Sequence, residues 1–498
     1  MNHCLLLDSD ALACERDISR LIDCLYWGRH RPLKIALVNP PTTSNFETQS
    51  VLGLRTPPLG LAYIAASLER RGDDVTIIDS VASDISHDAL ERKLHLMQPD
   101  VIGVTSMTPS VYDALNVITY AKEACPHTTT VMGGCHITFL TEETLRACPN
   151  LDVAVIGEGE ETICDLADAL ESNRDLTTVK GIAFRKDGKI QINEKRKLIS
   201  DLDKVPFPAR HLLPLDRYAL LGTRNLVGNV ITSRGCPFNC IFCASSRLYG
   251  RTYRARSPEN VVDEIEQLTT RYRIRNIEFV DDTFTINKKR AFEIAREIRR
   301  RGLDIFWGFG SRVDTITENL LHAFKKAGCT VFYLGIESGS QKILNILKKR
   351  ITLDQVKQAI NWSKNAKIET IGSFIIGTPG ETKDDVLRTI NFAKNCGVDF
   401  AQFTIMTPFP GTEVYEYAKK NGLLVTEDWS KYTTLKPLIQ TKELTADEVS
   451  RLNSLAYRSF YLRVGFFLKQ IQMRRVQLLF PIIKRYILRG KKTTRRLP

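Results

Sequence analysis

The chain has no long hydrophobic run, few histidines and no export signal at its start. No apolar stretch reaches the length of about 18 residues that suggests a membrane-spanning helix. Residues 1–20 carry four acids and lack the cationic start and apolar centre of a secretory signal. The 12 cysteines are irregularly spaced, so we expect free thiols in a reducing interior rather than disulfides. The protein is therefore expected to be cytoplasmic.

Acidic residues are also absent after Glu448. Four lysines and nine arginines follow that position, which equals the whole formal net charge of +13 and leaves residues 1–448 neutral. Nucleic-acid binding typically needs a basic surface on the folded body. We therefore expect no nucleic-acid partner, and we assign the basic character to a tail.

The 498 residues and their 43 % apolar content fit two or three globular domains. Residues 33–175 alternate apolar strands (34–38, 74–78, 101–105, 129–132 and 153–156) with helical patterns. This alternation predicts an α/β fold with a doubly wound, Rossmann-like sheet that binds ligands beyond the carboxyl ends of its strands. Residues 1–32 are predicted to form a helical extension, and residues 176–225 a hairpin and a proline-stiffened linker.

A second strand–helix series occupies residues 226–430. Its predicted strands are 227–233, 276–280, 305–310, 331–335, 371–376 and 401–406. Six units are too few for a closed eight-stranded barrel, so we predict a partial (β/α)6 barrel that is open on one side to a large substrate. Residues 431–498 are predicted to form basic amphipathic C-terminal helices.

Three cysteines, Cys236, Cys240 and Cys243, follow the first strand of that series with the spacing C-x3-C-x2-C. A [4Fe–4S] cluster needs four ligands, and with no fourth cysteine nearby one iron would stay open to an exogenous molecule. Zinc is the alternative, but it usually takes four protein ligands or an open site with histidine, and the next histidine is His322. A disulfide with a spare thiol is disfavoured because nothing marks the chain as secreted.

The second domain resembles the radical SAM superfamily through motifs at its six predicted strand ends. In chain order these are GCPFNCIFC, FVDDTFT, GSRVD, LGIESGS, IIGTPGET and TPFPGT. The resemblance implies that the three cysteines are catalytic and hold a [4Fe–4S] cluster whose open iron binds S-adenosylmethionine (SAM). It also implies SAM contacts at Phe242, Asp281, Asp282, Arg312, Glu337, Ser338, Gly377 and Pro408. Helix capping is the alternative role for Asp281 and Asp282.

Residues 33–175 resemble the cobalamin-binding domain that precedes the barrel in one branch of this superfamily. The matching segments are VNPP, PPLGLAYIAASLERRG, VTSMT, MGGCHIT and VIGEGEET. The resemblance implies cobalamin contacts at Thr105, Ser106, Gly133, Gly134, His136, Gly157, Glu158, Gly159 and Glu160. The D-x-H-x-x-G signature that supplies a histidine to cobalt is absent, which implies either cobalamin without a histidine lower ligand or a vestigial pocket. A structural hydrogen bond is the alternative role for His136.

This architecture is similar to that of anaerobic magnesium-protoporphyrin ester cyclase, hopanoid C-3 methylase and archaeal lipid-modifying enzymes. The resemblance implies a cobalamin-dependent radical SAM enzyme that C-methylates an unactivated carbon of a large hydrophobic substrate, lipid- or tetrapyrrole-like. In that chemistry a 5′-deoxyadenosyl radical takes a hydrogen atom and methylcobalamin donates the methyl group, with ferredoxin or flavodoxin as the electron donor. The alternatives are oxidative cyclisation without methyl transfer, RNA methylthiolation, and a non-catalytic cobalamin and iron–sulfur sensor.

The C-terminal segment carries two apolar stripes among its cations. The first is Phe460, Val464, Phe467 and Ile471, and the second is Leu479, Ile483, Tyr486 and Ile487. Basic amphipathic helices of this kind are typical of interfacial membrane anchors, so we expect peripheral contact with the inner membrane face. The alternative is a helix that closes the open side of the barrel.

Overall fold

The structure is a computed structural model that describes residues 31–42, 56–218, 227–473 and 475. Residues 1–30 of the predicted helical extension and the second C-terminal stripe lie outside the described residues. The described part contains two sheets covered by helices, followed by two further C-terminal helices. This is the α/β fold class predicted from the sequence, which is thereby confirmed.

The first sheet has seven strands in the order β2-β1-β3-β4-β5-β6-β7. They are β1 Lys34–Asn39, β2 Asp74–Asp79, β3 Val101–Thr105, β4 Thr129–Gly133, β5 Val153–Val155, β6 Ile182–Lys186 and β7 Lys189–Ile192. The first five strands run parallel with a switch point between β1 and β3, the place where doubly wound sheets bind ligands. Strands β6 and β7 form an antiparallel hairpin on β5, so this sheet continues past residue 175.

Helices cover both faces of the first sheet. They are α1 Leu59–Arg71, α2 His87–Met97, α3 Val111–Ala124, α4 Cys135–Phe139, α5 Thr141–Ala147 and α6 Glu160–Glu171. Leu61 of α1 and Leu166 of α6 belong to the apolar core on one face. Leu90 of α2 and Val117 of α3 belong to the core on the other face. Because the parallel strands are buried on both faces, they read in the sequence as continuous apolar runs.

The second sheet has six parallel strands in the order β15-β14-β13-β12-β11-β8. They are β8 Val227–Val230, β11 Asn276–Phe279, β12 Phe306–Arg312, β13 Cys329–Glu337, β14 Glu369–Ile376 and β15 Phe400–Ile405. In the described part of the chain β8 and β15 are edge strands that do not pair with each other, so the barrel is open. A short antiparallel ribbon of β9 Ser233–Arg234 and β10 Arg254–Ala255 follows β8.

Helices surround the outer face of this second sheet. The short helix α7 Ser245–Leu248 lies in the loop between β9 and β10, and the others are α8 Pro258–Thr270, α9 Lys288–Arg300, α10 Glu318–Lys326, α11 Gln341–Ile346, α12 Leu353–Asn365, α13 Lys383–Asn395 and α14 Glu413–Lys420. Side chains alternate along the strands, as in Phe403 of β15, which is buried in the outer core, and Gln402 and Thr404, which are only half-buried. The half-buried set faces the inside of the barrel, so the lumen is not filled.

The C-terminal helices α15 Ala446–Tyr461 and α16 Val464–Gln472 cover the edge strand β15. The hydroxyl of Tyr457 accepts a hydrogen bond from the amide of Phe403 at 3.2 Å. The hydroxyl of Tyr461 donates to the carbonyl of Ala401 at 2.7 Å. These side chains satisfy backbone groups that an open sheet edge would otherwise leave unpaired. This position supports the alternative role predicted for this region, a helix that closes the open side, at the β15 edge of the opening.

The prediction that Phe460, Val464, Phe467 and Ile471 form one apolar helical face is wrong. Phe460 is fully buried, whereas Val464 is 74 % exposed and Ile471 is 53 % exposed. The helix ends at Tyr461 and a new helix begins at Val464. A helical period predicts a shared face only within an uninterrupted helix, so the break separates the members of the stripe.

Candidate active site

The carboxyl ends of the two sheets meet at a cavity of about 250 Å³. The first domain contributes the ends of β3, β4 and β5, and the second contributes the segment after β8 and the end of β11. The cavity lining includes ten polar or glycine residues from these segments: Thr105, Gly133, Gly134, Gly157, Glu158, Gly159, Glu160, Ser233, Arg234 and Asp282. The cavity therefore lies between the predicted cobalamin region and one predicted SAM contact, Asp282, whereas the three cysteines and the other predicted SAM contacts are not part of its lining.

The three cysteines lie in the loop between β9 and β10, and all three are half-buried free thiols. The amide of Cys236 donates to the carbonyl of Gly250 at 3.2 Å, which holds the start of the loop. Gly235 has a φ of +88°, and a Cβ there would lie 2.3 Å from the carbonyl oxygen of Thr252. Only glycine fits this turn, so the backbone requires glycine at position 235, directly before Cys236.

Cationic side chains surround Cys240. Burial raises the pKa of the Cys240 thiol, while the nearby charges of Lys349 and Arg312 act in the opposite direction. Nη1 of Arg312 lies 3.7 Å from the Cys240 sulfur. Cations of this kind favour the thiolate, which is the form that binds iron.

The donor set fits a three-ligand [4Fe–4S] cluster. No three His, Cys, Asp or Glu side chains of the described ranges converge closely enough to hold a single metal ion. Cysteine ligands of a cubane bind different irons and lie around a larger group. Three free thiols on one short loop, backed by two buried cations, are suited to that larger group.

The two aspartates that follow β11 have different surroundings. Asp281 is buried and accepts hydrogen bonds from the Thr232 amide at 2.6 Å and from the hydroxyls of Thr232 and Ser233 at 2.5 and 2.6 Å. Its carboxylate therefore fixes the segment that leads into the cluster loop. Asp282 is exposed to the cavity that it lines, and partial desolvation by the cavity walls raises the pKa of its carboxyl group. Of the pair, Asp282 is the one placed to meet a ligand.

Glu337 lies in a strained turn at the end of β13. Its φ is +69°, and the strand register shifts between Gly335 and Glu337, which re-aims the side chain as bulges do. Its carboxylate forms a buried ion pair with Lys349 at 2.7 Å. The Lys349 ammonium also lies 5.9 Å from the ring centroid of Phe242. The neighbouring Ser338 hydroxyl is within 2.9 Å of the Thr389 hydroxyl.

Sequence reasoning missed Lys349, because nothing in the run Lys348-Lys349-Arg350 marks its middle residue as buried. It also missed Glu381, which is fully buried near Gly377. Oε2 of Glu381 accepts the Gly377 amide at 2.6 Å and the Thr378 amide at 3.1 Å, and burial raises the pKa of this carboxyl to about 7. The position of Glu381 within the Gly-rich IIGTPGET motif was the available signal. Pro408 is buried just beyond the end of β15.

The predicted cobalamin positions divide into two groups. Seven line the cavity: Thr105, Gly133, Gly134, Gly157, Glu158, Gly159 and Glu160. A Cβ at Gly133 or Gly157 would meet no atom within 4 Å, so the backbone there faces open space that a large group can approach. These residues fit a corrin held mainly by backbone groups.

Ser106 and His136 do not line the cavity. The Ser106 hydroxyl donates to the Gly133 carbonyl at 3.2 Å. His136 is buried against Trp429 with a ring-centroid distance of 5.4 Å, and its Nδ1 lies 3.3 Å from the Thr108 hydroxyl. Burial lowers the pKa of His136 to about 4, so the ring is neutral. These contacts fit the alternative role predicted for His136, a structural hydrogen bond.

Glu158 and Glu160 make ion pairs across the domain boundary. Glu158 pairs with Arg234 at 3.1 Å and with Arg254 at 2.9 Å, and Glu160 pairs with Arg234. All of these side chains are at most 10 % exposed. The two carboxylates therefore bind the barrel directly at the edge of the cavity.

A doubly wound domain whose predicted cobalamin region faces an open barrel with a three-cysteine loop is the arrangement expected of a radical SAM enzyme that works with cobalamin. Models of known families agree, since the radical SAM superfamily model matches residues 230–393 and the B12 binding domain model matches residues 50–167.

Individual relatives cover nearly the whole chain. An uncharacterized methyltransferase of Pyrococcus horikoshii is 45 % identical over 88 % of this chain and 95 % of its own length. The anaerobic magnesium-protoporphyrin IX monomethyl ester cyclase of Rubrivivax gelatinosus is 32 % identical over 82 % of this chain and 74 % of its own length. The solved structure of the radical SAM methyltransferase TsrM from Kitasatospora setae shares the fold, with a TM-score of 0.67, 20 % identity and 80 % coverage of each chain.

The chain belongs to the cobalamin-dependent radical SAM enzymes, a family that contains methyltransferases and also cyclases. Its cofactors are accordingly a [4Fe–4S] cluster, SAM and cobalamin. Enzymes of this family act on a substrate with the help of an electron donor.

Proposed function

We propose that the protein C-methylates an unactivated carbon of a large hydrophobic substrate, of the lipid or tetrapyrrole type. The observation that carries the proposal is the cavity between the two domains, because methyl transfer from cobalamin requires the corrin region to face the barrel, and Arg234 and Asp282 of the second domain line the same cavity as seven predicted cobalamin positions. Relatives support the reaction and the substrate class, since one is named a methyltransferase and another a magnesium-protoporphyrin ester cyclase.

The inner face of the barrel supports a large substrate. Gly310 leaves this face open, since a Cβ there would meet only the Asp281 carbonyl oxygen at 3.9 Å, and Tyr333, its register partner on β13, is 37 % exposed. The half-buried inner position Glu278 accepts a hydrogen bond from Asn229 at 3.0 Å, and burial raises its pKa. A roomy lumen with a few polar groups suits a bulky, mostly apolar molecule with a polar handle.

When bound, the cluster with SAM supplies the hydrogen-abstracting radical, and cobalamin supplies the methyl group. The protein's own residues then have positioning tasks. Cys236, Cys240 and Cys243 hold the cluster, and the glycines at the ends of β4 and β5 let the backbone approach the corrin. Asp282 faces the space between the two regions. The covering helix α15 closes one edge of the barrel and limits the entry of water.

The test uses anaerobically reconstituted full-length enzyme, methyl-deuterated SAM and lipid and tetrapyrrole fractions of cells. We expect deuterium in a product that becomes heavier by one methyl group, and no such product with the Cys240→Ala variant. Label that never enters any product, with SAM still cleaved, would reject methyl transfer and favour oxidative cyclisation, which the cyclase relative makes the second candidate. Absence of SAM cleavage under every condition would favour a sensor.

The electron donor proposed for this enzyme is ferredoxin or flavodoxin. The cluster cysteines are only half-buried, which lets a small carrier protein approach the loop. Reduction of the cluster by a reduced flavodoxin, followed by its EPR signal, would support this donor. A cluster that only chemical reductants can reduce would contradict it.

We also propose that the C-terminal helices contact an anionic membrane surface on the cytoplasmic side. Val464, Leu468 and Ile471 of α16 are all more than half exposed and share one helical face. Residues 473–498 add nine cations and no acid, and each cation near anionic lipid contributes about 1 kcal/mol. In the described ranges no helix is long and apolar enough to cross a membrane.

Vesicle sedimentation tests the membrane proposal. Replacing Val464, Leu468 and Ile471 by serine should weaken binding to phosphatidylglycerol vesicles, and high salt should weaken it further. Leu96→Ser on α2 removes an equally exposed leucine from the first domain and is the matched control. Equal binding by the triple variant and the control would contradict the proposal.

A further inference from the structure

The Glu158 carboxylate connects the two domains beside the cavity. Glu158 belongs to the first domain, and its side chain is 3 % exposed. Oε1 accepts from Arg234 at 3.1 Å and from Arg254 at 2.9 Å, both from the second domain. Oε2 accepts from Arg254 at 3.0 Å and from the Ile199 amide at 2.8 Å. Every acceptor position of this carboxylate is therefore engaged.

The partners of Glu158 lie next to the cluster loop. Arg234 and Arg254 are direct neighbours across the β9–β10 ribbon, and Arg234 is followed at once by Gly235 and Cys236. On the other side, Glu158 stands between Gly157 and Gly159, which line the cavity. The ion pair thus joins the loop that faces cobalamin to the loop that holds the cluster, with only a few covalent bonds on each side.

We propose that Glu158 is a positioning residue that fixes the separation and orientation of cobalamin and the cluster, with Arg234 and Arg254 as its partners. The proposal rests on the two cofactors of the family and not on the substrate proposed above. Gly157 and Gly159 flank Glu158, and Gly235 follows Arg234. Glycine restricts the backbone little by itself, so the ion pair is the stronger restraint on these segments. Domain interfaces within a chain allow relative motion by default, whereas a buried carboxylate held by two guanidinium groups is directional.

A second ion pair supports the same role. Glu160 pairs with Arg234, whose guanidinium carbon also lies 5.5 Å from the ring centroid of Tyr63 on α1. Arg234 is therefore held by two carboxylates and one aromatic ring, all from the first domain. A residue that only stabilised the interface would not need to fix the segment adjacent to Cys236 in this way.

The test measures the magnetic interaction between the reduced cluster and cob(II)alamin by EPR in the full-length reconstituted protein. Wild type should show one well-defined interaction, because the two centres have one relative arrangement. Glu158→Gln keeps the shape and removes the charge, and we expect loss of that single interaction. Glu297→Gln is the matched control, since Glu297 is likewise bonded to two arginines, Arg300 and Arg301, but far from the cofactors.

Amide hydrogen exchange gives a readout that needs no cofactor. In Glu158→Gln, peptides spanning residues 155–162 and 196–202 should exchange faster than in wild type, and the same peptides in Glu297→Gln should not. Arg254→Lys is the milder variant if Glu158→Gln fails to fold, because it keeps the positive charge and loses the second guanidinium nitrogen, which bonds the Tyr249 carbonyl at 3.0 Å while the first bonds Glu158. We expect it to broaden the interaction between the two centres.

An unchanged EPR interaction in a folded Glu158→Gln protein, or in Arg254→Lys where the first variant does not fold, would overturn the proposal. This outcome is independent of the substrate. Lack of a methylated product in wild type would count against the proposed function alone, since the EPR measurement uses no substrate.

Discussion

The Arg312 guanidinium lies between a cluster cysteine and an aromatic ring: Nη1 is 3.7 Å from the Cys240 sulfur, and the guanidinium carbon is 3.6 Å from the Phe238 ring centroid. Asp314 holds the same guanidinium at 2.9 and 3.0 Å. The cation is therefore fixed at the cluster loop rather than free to leave it.

Arg312→Gln should make the cluster harder to reduce, because a positive charge next to a cysteine ligand stabilises the added electron. We expect a more negative reduction potential and SAM cleavage slower by about tenfold or more. A redox titration followed by EPR measures the first effect. Arg92→Gln, an exposed arginine on α2, should leave both values unchanged, and an unshifted potential in Arg312→Gln would refute the assigned role.

Alanine at Cys236, Cys240 or Cys243 should each abolish the iron–sulfur absorption and SAM cleavage while cobalamin is still bound by the other domain. The reason is that three ligands leave none to spare for a cluster with an open iron. Cys329→Ala, at a buried cysteine of β13, is the matched control and should keep the cluster. Retention of a full cluster in any one of the three variants would show that the ligand set is different.

His136→Asn should leave cobalamin binding and its optical spectrum unchanged, because the ring lies against Trp429 outside the cavity. The cost should be about 1 kcal/mol of stability from the lost packing and hydrogen bond. Gly134→Ala is the contrasting variant. Its φ is +110° and a Cβ would lie 2.5 Å from the Ser106 carbonyl oxygen, so the β4 loop must shift and cobalamin retention should fall. An altered cobalamin spectrum in His136→Asn would contradict the structural role.

Glu381 should make stability depend on pH. Burial raises its pKa from 4.5 to about 7, so between these values the folded protein keeps a proton that the unfolded chain has released. The free energy of unfolding should then fall as pH rises from 4.5 to 7, by about 3 kcal/mol at most, and level off above pH 7.

Glu381→Gln tests this dependence by denaturant unfolding at pH 5.5 and pH 8. The amide oxygen can still accept from Gly377 and Thr378, and no charge is buried, so the variant should lose this pH dependence and be the more stable protein at pH 8. Glu381→Ala is the control that leaves the Gly377 and Thr378 amides without an acceptor. It should be less stable than Glu381→Gln at either pH, by about 1–3 kcal/mol. A wild type that gains stability between pH 5.5 and pH 8 relative to Glu381→Gln would disprove the assignment.

Local patterns predicted the architecture well. The strands of the first sheet could be predicted because they are buried on both faces, and those of the second because one face is buried in the outer core. Their ends could be placed from glycine and polar motifs. The interruption between Tyr461 and Val464 could not be predicted, because Leu462 and Arg463 are ordinary helix residues. The hydrogen bonds of the Tyr457 and Tyr461 hydroxyls to the backbone of β15 could not be predicted either, because that strand lies more than fifty residues away in the sequence.

The sequence by itself determined the cluster site, since a cysteine triplet within one loop brings its own ligands together whatever the rest of the chain does. Only the tertiary structure decided that Glu158 meets Arg254, which is 96 residues distant, that Lys349 is buried beside Glu337, and that His136 turns away from the cavity. The reason is physical: the partner and the exposure of a charged side chain depend on which surfaces pack together, and no spacing along the chain encodes them.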